Sequence, residues 1–437
     1  MKNYGILFLT IIVLLTTCNT TEPPPEDTRE LTLTFEDASC IEAWINITTE
    51  NIQLPASINI FINDSLSQVS ILNTKDSLIY IDSLLPNKTY KLKATSSEYR
   101  VLSSEITFTT MDTTSHNFTW QFFEFGDPGI SSFLFDAFIF NENKIYVVGE
   151  IYLNDSLGQI DSKPYGSAVW NGNSWDISRI ETKWPSGVTE NLSPTSILVL
   201  SESDIWYTAG GVHYWDGEKI TTYWLNGYPG IPDPLFEEDQ WLLNIWGNSY
   251  TNIYISGHKG ALARFDGEKW FKIESHTNGD LYDIYGIENI KKNIYEIYCP
   301  ISFQTNPFYG EIIKISENDI VEMVEFGLEK VFSVWGIKNT KIYGSGRSIF
   351  VNNSTGWEEI DFDNYYSKLK IRGSALNNIF VVGGLGFVGH FNGVSWQQYP
   401  ELRIQAGYYS FVSVTENMVV MGGVNYRKGI LVIGKRN

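Results

Sequence analysis

The chain has 437 residues, 43% of them hydrophobic and 15% aromatic, and a formal net charge of −20 at pH 7. The length suits two domains with a large core, and the 14 Trp and 25 Tyr favour strands, whose pleated, half-buried surface suits aromatics. The charge, with no basic stripe along the chain, excludes nucleic acid as a partner, because a phosphate backbone would be repelled.

Lys2 precedes an apolar run, Gly5 to Leu15. It has the length of a signal-peptide core and is too short to span a bilayer. The following Leu15-Thr16-Thr17-Cys18 resembles a bacterial lipobox, with Thr17 where Gly, Ala or Ser is usual. The resemblance implies that Cys18 is diacylated and becomes the mature N-terminus. Residues 1–17 are thus expected to be a lipoprotein signal peptide. Residues 18–28, with Pro23-Pro24-Pro25, are expected to be a semi-extended tether. The protein is expected to be exported and lipid-anchored to the cell membrane or outer membrane. Cys40 and Cys299 lie far apart and are expected to be buried small hydrophobes, not a disulfide.

From Leu31 to Thr110 short runs of period two read as seven strands. They lie at Leu31–Phe35, Ile41–Ile47, Ile58–Ile62, Val69–Leu72, Leu78–Ile81, Thr89–Ala94 and Ile106–Thr109. Seven short strands in this span suit an immunoglobulin-like sandwich over residues 29–112. Trp44 stands mid-strand, as a core Trp would. Leu84-Leu85-Pro86-Asn87-Lys88-Thr89-Tyr90 resembles the fibronectin type III pattern Leu-x-Pro-x-x-x-Tyr. The resemblance implies that Tyr90 forms a corner by bonding back to upstream backbone.

Residues 118–437 repeat. An apolar strand closed by Gly recurs from Ile145, Ile205, Ile253, Ile342, Ile379 and Met418, with a looser copy from Ile294, about 45 residues apart on average. Before several copies stands an aromatic or Arg with Gly: Trp246-Gly247, Tyr285-Gly286, Trp335-Gly336 and Arg372-Gly373. After them comes a turn and often Trp: Asn171-Gly172 with Trp175, Asp266-Gly267 with Trp270, Asn392-Gly393 with Trp396. Asx-Gly pairs favour type I′ turns, where both residues need positive φ. Each unit reads as four strands, so seven copies predict a seven-bladed β-propeller. The last unit has only three strands, and the stretch 119–125 resembles a missing outer strand. It is expected to pair with the C-terminal strands and close the ring. The fold class is therefore all-β, a fibronectin type III-like sandwich followed by a propeller. The units resemble bacterial propeller repeats of the form Trp-Gly-x-Ser…Ile-Tyr-x-x-Gly…Asp-Gly-x-x-Trp, which bears on fold and not on function.

Four long insertions, Glu150–Tyr165, Glu181–Pro194, Leu225–Gln240 and Cys299–Tyr309, are expected on one propeller face. Loops on a rigid scaffold concentrate binding residues. Tyr165, Trp184, Tyr228, Asp233, Phe308 and Tyr309 are the candidate binding residues, suited to stacking on sugar rings or gripping a peptide. The five histidines lack metal-ligand spacing on one element, and neither a metal nor a cofactor is expected. The Asp-Gly-x-x-Trp turns differ from sialidase Asp-boxes, because the Asp adjoins the Gly and an arginine cluster is lacking. Catalysis is left open, with Asp233 and Glu237 as the carboxylates a glycosidase would need. The reading is a monomeric binding or scaffold lipoprotein for glycan or envelope protein. Its alternatives are a glycan-active enzyme and an assembly factor for a membrane complex.

Overall fold

A computed structural model describes residues 28–437 except 97, 100, 229, 303–309, 325, 327–329, 354, 355 and 364. The expected signal segment and Cys18 lie outside the described residues, as do Phe308 and Tyr309. Among the described residues the helical elements are three single 3-10 turns, and no helix is long and apolar enough to cross a membrane. The rest of the regular structure is strand.

Each of the seven runs read before Thr110 is a strand. They are β1 (Glu30–Ala38), β2 (Ala43–Glu50), β3 (Ala56–Ile62), β4 (Ser65–Leu72), β5 (Asp76–Ile81), β6 (Thr89–Ser96) and β7 (Ile106–Thr109). They form two sheets, in the orders β1-β2-β5 and β4-β3-β6-β7. Burial follows period two: Ile58 and Ile60 are fully buried, whereas Ser57 is exposed. Trp44 is fully buried against Tyr80, and the Leu85 N–H donates to Tyr90 Oη at 2.8 Å.

The chain divides into two compact units. One holds 28–33, Ile47–Ser77 and Leu92–Ile106; the other holds Thr34–Asn46, Leu78–Lys91 and Thr107–Asn437. Within the second unit Lys341 Nζ donates to Glu42 Oε1 at 2.7 Å. Glu42 also accepts from Ser39 Oγ at 2.6 Å and Tyr80 Oη at 2.9 Å. Both ions are buried, so each depends on the other for the solvation it has lost.

Seven sheets of four or five strands then follow one another in the described residues. Their first long strands are Phe133–Asn141, Ser196–Ser201, Leu242–Ser249, Tyr285–Asn289, Val331–Gly336, Lys368–Ala375 and Gly407–Val414. Several fourth strands begin at the expected Trp: Trp175–Ser178, Trp270–Lys272, Trp357–Ile360 and Trp396–Gln398. The seventh sheet takes its outer strand from upstream. β8 (Phe118–Phe125) pairs antiparallel with Lys428–Arg436, Phe118 opposite Arg436 and Phe125 opposite Gly429.

The Trp-Gly pair has a packing cause. A Cβ on Gly286 would lie 2.2 Å from the Trp246 ring, and one on Gly373 would lie 2.8 Å from Trp335. Each aromatic therefore lies on the glycine of a neighbouring sheet. Gly286→Ala is expected to cost about 1–3 kcal/mol, as overpacking does. Gly384→Ala, whose Cβ would meet nothing nearer than 3.9 Å, should melt within a degree or two of the parent.

The Asx-Gly turns differ from the expectation. Gly172, Gly217, Gly267 and Gly393 take φ near +95°, from 93° to 101°, but the Asn or Asp before each is absent from the left-handed positions. These loops are four residues long, so two-residue type I′ geometry does not apply. The Asx side chain closes the loop instead: Asp266 Oδ1 accepts the Glu268 and Lys269 N–H groups at 2.9 and 3.0 Å. Asn392 does the same to Val394 and Ser395.

Candidate functional site

Two of the four long insertions carry their own structure. Residues 181–191 form a ribbon, Glu181–Lys183 paired with Thr189–Asn191. Its turn holds Trp184, whose N–H donates to Val188 O at 2.8 Å, with Gly187 at φ 85°. The 225–240 loop folds over buried Leu225, Asn226 and Phe236. Asn226 Nδ2 donates to Gln240 O at 2.5 Å, and Phe236 N to Leu225 O at 3.0 Å. The first loop is thus held by its own backbone pairs and the second by buried contacts, rather than draped over the surface.

These loops bring three rings together. Trp184 stacks on Trp224 with centroids 4.1 Å apart and planes at 22°. Tyr228 stands edge-on to both, at 5.1 and 6.4 Å. All three rings are half-buried. Trp184 Nε1 donates to Glu190 Oε2 at 2.6 Å. Burial raises the Tyr228 phenol pKa, and the nearby Glu238 and Glu190 charges raise it further. Behind the cluster His213 is fully buried, edge-on to Trp224 at 6.0 Å, with Nδ1 2.9 Å from Thr222 Oγ1. Burial pushes its pKa down to about 4, so it is neutral at pH 7. A groove of about 520 Å³ opens beside Trp224, lined also by Trp215, Ile220, Thr222, Glu181 and Lys183.

The other candidates do not join this cluster. Tyr165 is covered by the Arg179 guanidinium, 4.1 Å from its ring centroid, and Arg179 is also bonded to Asp161. Asp233 is exposed, with φ 46°. The insertion expected from Cys299 starts later, because Cys299 is buried inside the strand Ile294–Ser302, opposite Ile313. Trp224 was missed by motif reading. Its unit has the turn Asp216-Gly217 without a Trp three residues on, and the displaced Trp at 224 is the signal that could have found it.

A second constellation lines a cavity of about 270 Å³ where the first strands of the sheets converge. Asp283 is the centre. Its carboxylate accepts Arg372 Nη2 at 2.6 Å, Arg372 Nη1 at 3.0 Å and Lys370 Nζ at 2.7 Å. It also accepts Ser333 Oγ at 2.6 Å and Val334 N at 3.2 Å from the next sheet. Burial alone would raise the Asp283 pKa, but the Arg372 and Lys370 charges outweigh it and hold the carboxyl well below the usual range. The Arg372 guanidinium lies 4.7 Å over the Tyr285 ring. Asp136 repeats the tie, accepting Ser196 Oγ at 2.7 Å and Ile197 N at 3.1 Å. Burial raises its pKa, opposed by Lys370 and by these hydrogen bonds. The cavity charges are thus spent on one another, joining sheets across the cavity. Sequence reasoning missed this set. The signal is a polar residue two places before the aromatic or Arg, at Asp136, Asn244, Asp283, Ser333 and Lys370, with Ser196 two places before Leu198 in the same position of its unit.

Among the described residues no group of three or more His, Cys, Asp or Glu could hold a metal ion. No protein-family model matches the chain, and no curated protein matches it. Solved structures do. "YCF48 bound to D1 peptide" is 14% identical with a TM-score of 0.53, covering 74% of this chain and 97% of that one. The WD40 β-propeller domain of Doa1 is 11% identical with a TM-score of 0.49, covering 74% and 98%. The first likeness establishes the fold of the repeated region as β-propeller-like, within an all-β chain.

Proposed function

We propose that this chain is an exported, lipid-anchored binding protein whose propeller grips a segment of a cell-envelope protein through its long-loop face. The observation that carries the reading is the Trp184–Trp224–Tyr228 cluster, two large half-exposed rings on internally bonded loops gathered with a third at the end of the strand Ile220–Tyr223. Rigid aromatics offer much contact area at little entropic cost, and they dominate the binding free energy of protein interfaces. Glu190 and Glu238 beside the rings suit a segment carrying Lys or Arg. The fold is one on which a peptide has been seen, in the YCF48 complex.

The finer architecture belongs to the same proposal. We read the seven large sheets as seven blades closed by β8. The pairing of β8 with Lys428–Arg436 supports this, as does the bond from Ser410 Oγ in the seventh sheet to Leu134 O in the first, at 3.1 Å. The two small-sheet strand orders and the Tyr90 corner support a fibronectin type III-like domain at 29–112, ahead of the propeller at 118–437. The apolar run, Cys18 and the proline-rich 18–28 support the lipid tether.

The test compares the full chain with a Trp184→Ala/Trp224→Ala variant in crosslinking to its own cell envelope. Capture of one envelope protein should fall at least about tenfold in the variant, with circular dichroism unchanged. Equal capture by both proteins would remove the loop face from the account. A glycan bound in place of any protein would replace the ligand class.

A further inference from the structure

A sheet edge is a row of unpaired backbone donors and acceptors, and proteins blunt such edges with charge, proline or shortness. Three of the four edges of the two small sheets follow that rule. β1 carries Glu30, Glu36 and Asp37, β5 begins at Asp76, and β7 is four residues long. The fourth edge does not. β4, Ser-Leu-Ser-Gln-Val-Ser-Ile-Leu, has eight residues, no charge and no proline, and among the strands of the described residues it pairs with β3.

Its side chains are as unusual as its backbone. A register shift between the Ile60–Gln68 and Phe61–Leu66 pairs marks a bulge at Ser67. The bulge puts Leu66 on the same face as Val69 and Ile71. These three aliphatics are 57%, 55% and 68% exposed, beside half-buried Phe61 of β3. An uncharged edge with an open apolar stripe is the form of surface that takes an added strand.

We propose that this edge pairs with β4 of a second copy of the chain, antiparallel about a two-fold axis at Ser70. A two-fold contact requires the strand to complement itself, and β4 does. With Ser70 opposite Ser70, each Val69 faces the partner's Ile71 on the exposed face, and Gln68 faces Leu72 on the other. Directly opposite β-branched pairs are favourable in antiparallel sheets. The absence of charge matters in a chain of net charge −20: two copies can meet here without placing like charges opposite each other. One strand pair is smaller than a standard stable interface, so the dimer is weak and concentration-dependent. This departs from the monomer expected from sequence. It also makes the assembly bivalent, with two copies of whatever the propeller binds.

Two measurements on the full chain test it. Sedimentation in mild detergent should show a dimer that grows with concentration and persists at high salt. The Val69→Lys/Ile71→Lys variant should be monomeric with an unchanged melting profile, because both side chains are already exposed. Ser70→Cys should give a disulfide-linked dimer above the wild-type background, since opposed Cβ atoms lie about 4.5–5.5 Å apart. Ser57→Cys, one strand inward, should not. A wild-type chain that stays monomeric at every concentration overturns the proposal. So does crosslinking at Ser57 equal to that at Ser70, or loss of dimer only when Trp184 and Trp224 are changed.

Discussion

Replacing Asp283 with Asn should cost about 3–5 kcal/mol of unfolding free energy, the usual penalty for breaking a buried ion cluster by removing one partner. Asp283 is the shared anion of Lys370 and Arg372, and its side chain is only 2% exposed. Without it two cations remain in a cavity with Asp136, which is already engaged by Ser196 and Ile197. Lys370, whose pKa burial already lowers, can shed its proton. Arg372 cannot, so the penalty falls on the guanidinium. Arg372→Met should cost less, because Asp283 keeps Lys370 and its two bonds from the next sheet. Chemical denaturation of the three proteins measures the difference. A loss below about 1 kcal/mol for Asp283→Asn would mean that the cations are solvated.

Acid should destabilise the protein well before carboxylates protonate. His390 is held by Nδ1···Nδ1 contact with His116 at 2.8 Å, and its Nε2 lies 3.1 Å from Asn378 Oδ1. Arg436 from the last strand donates to the same Asn378 oxygen, and Tyr399 Oη donates to His116 O. Phe118 and Phe380 cover the His390 ring. The site gathers two imidazoles and a guanidinium; the carboxylates of Glu401 and Glu416 act through Tyr399 and Arg436. Burial, then His116 and Arg436, push the His390 pKa down to about 2, and burial also lowers that of His116. A histidine with a depressed folded pKa binds its proton more readily when unfolded. Its stabilising contribution is therefore present above the unfolded pKa of about 6.5 and is lost as pH falls below it. Between pH 7 and 5 His390 and His213 should each forfeit about 2 kcal/mol, and His116 adds to the loss. Asp136 has the opposite sign, because its raised pKa favours the folded state as it protonates. Asp283 contributes only below its ordinary range, near pH 4. Unfolding free energies at pH 7, 6 and 5 should fall steadily, with a shallower slope in His390→Gln. A flat profile over that range would show that these imidazoles take up protons without opening the fold.

Much of the architecture was legible because strand, turn and packing signals are local. Period-two alternation located β1 to β7, and the Trp after several of the turns marked where fourth strands begin. The resemblance between 119–125 and Gly356–Phe362 anticipated the pairing of β8 with Lys428–Arg436. The turns were placed correctly for a reason that was partly wrong. Gly supplies the positive φ, but the Asx side chain caps two N–H groups where the backbone of a tighter turn would have met itself.

The candidate site was only half legible. Trp184 and Tyr228 were marked by lying on long loops, whereas Trp224, stacked on Trp184, sits at the end of a regular strand. Tyr165 looked equivalent in sequence and is covered by Arg179, just past the end of the neighbouring strand Trp175–Ser178. Likewise Asp283 lies 87 to 89 residues from Lys370 and Arg372, which share a strand of another sheet.

The sequence by itself determined the strands, the repeat and its turns, because those follow from side-chain alternation and from the conformational freedom of Gly and Asx within a few residues. The tertiary structure alone decided which aromatics meet, which carboxylate is neutralised and which imidazoles are buried. Those outcomes depend on contacts between residues distant in the chain, where desolvation and charge pairing are set by neighbours that no local pattern names.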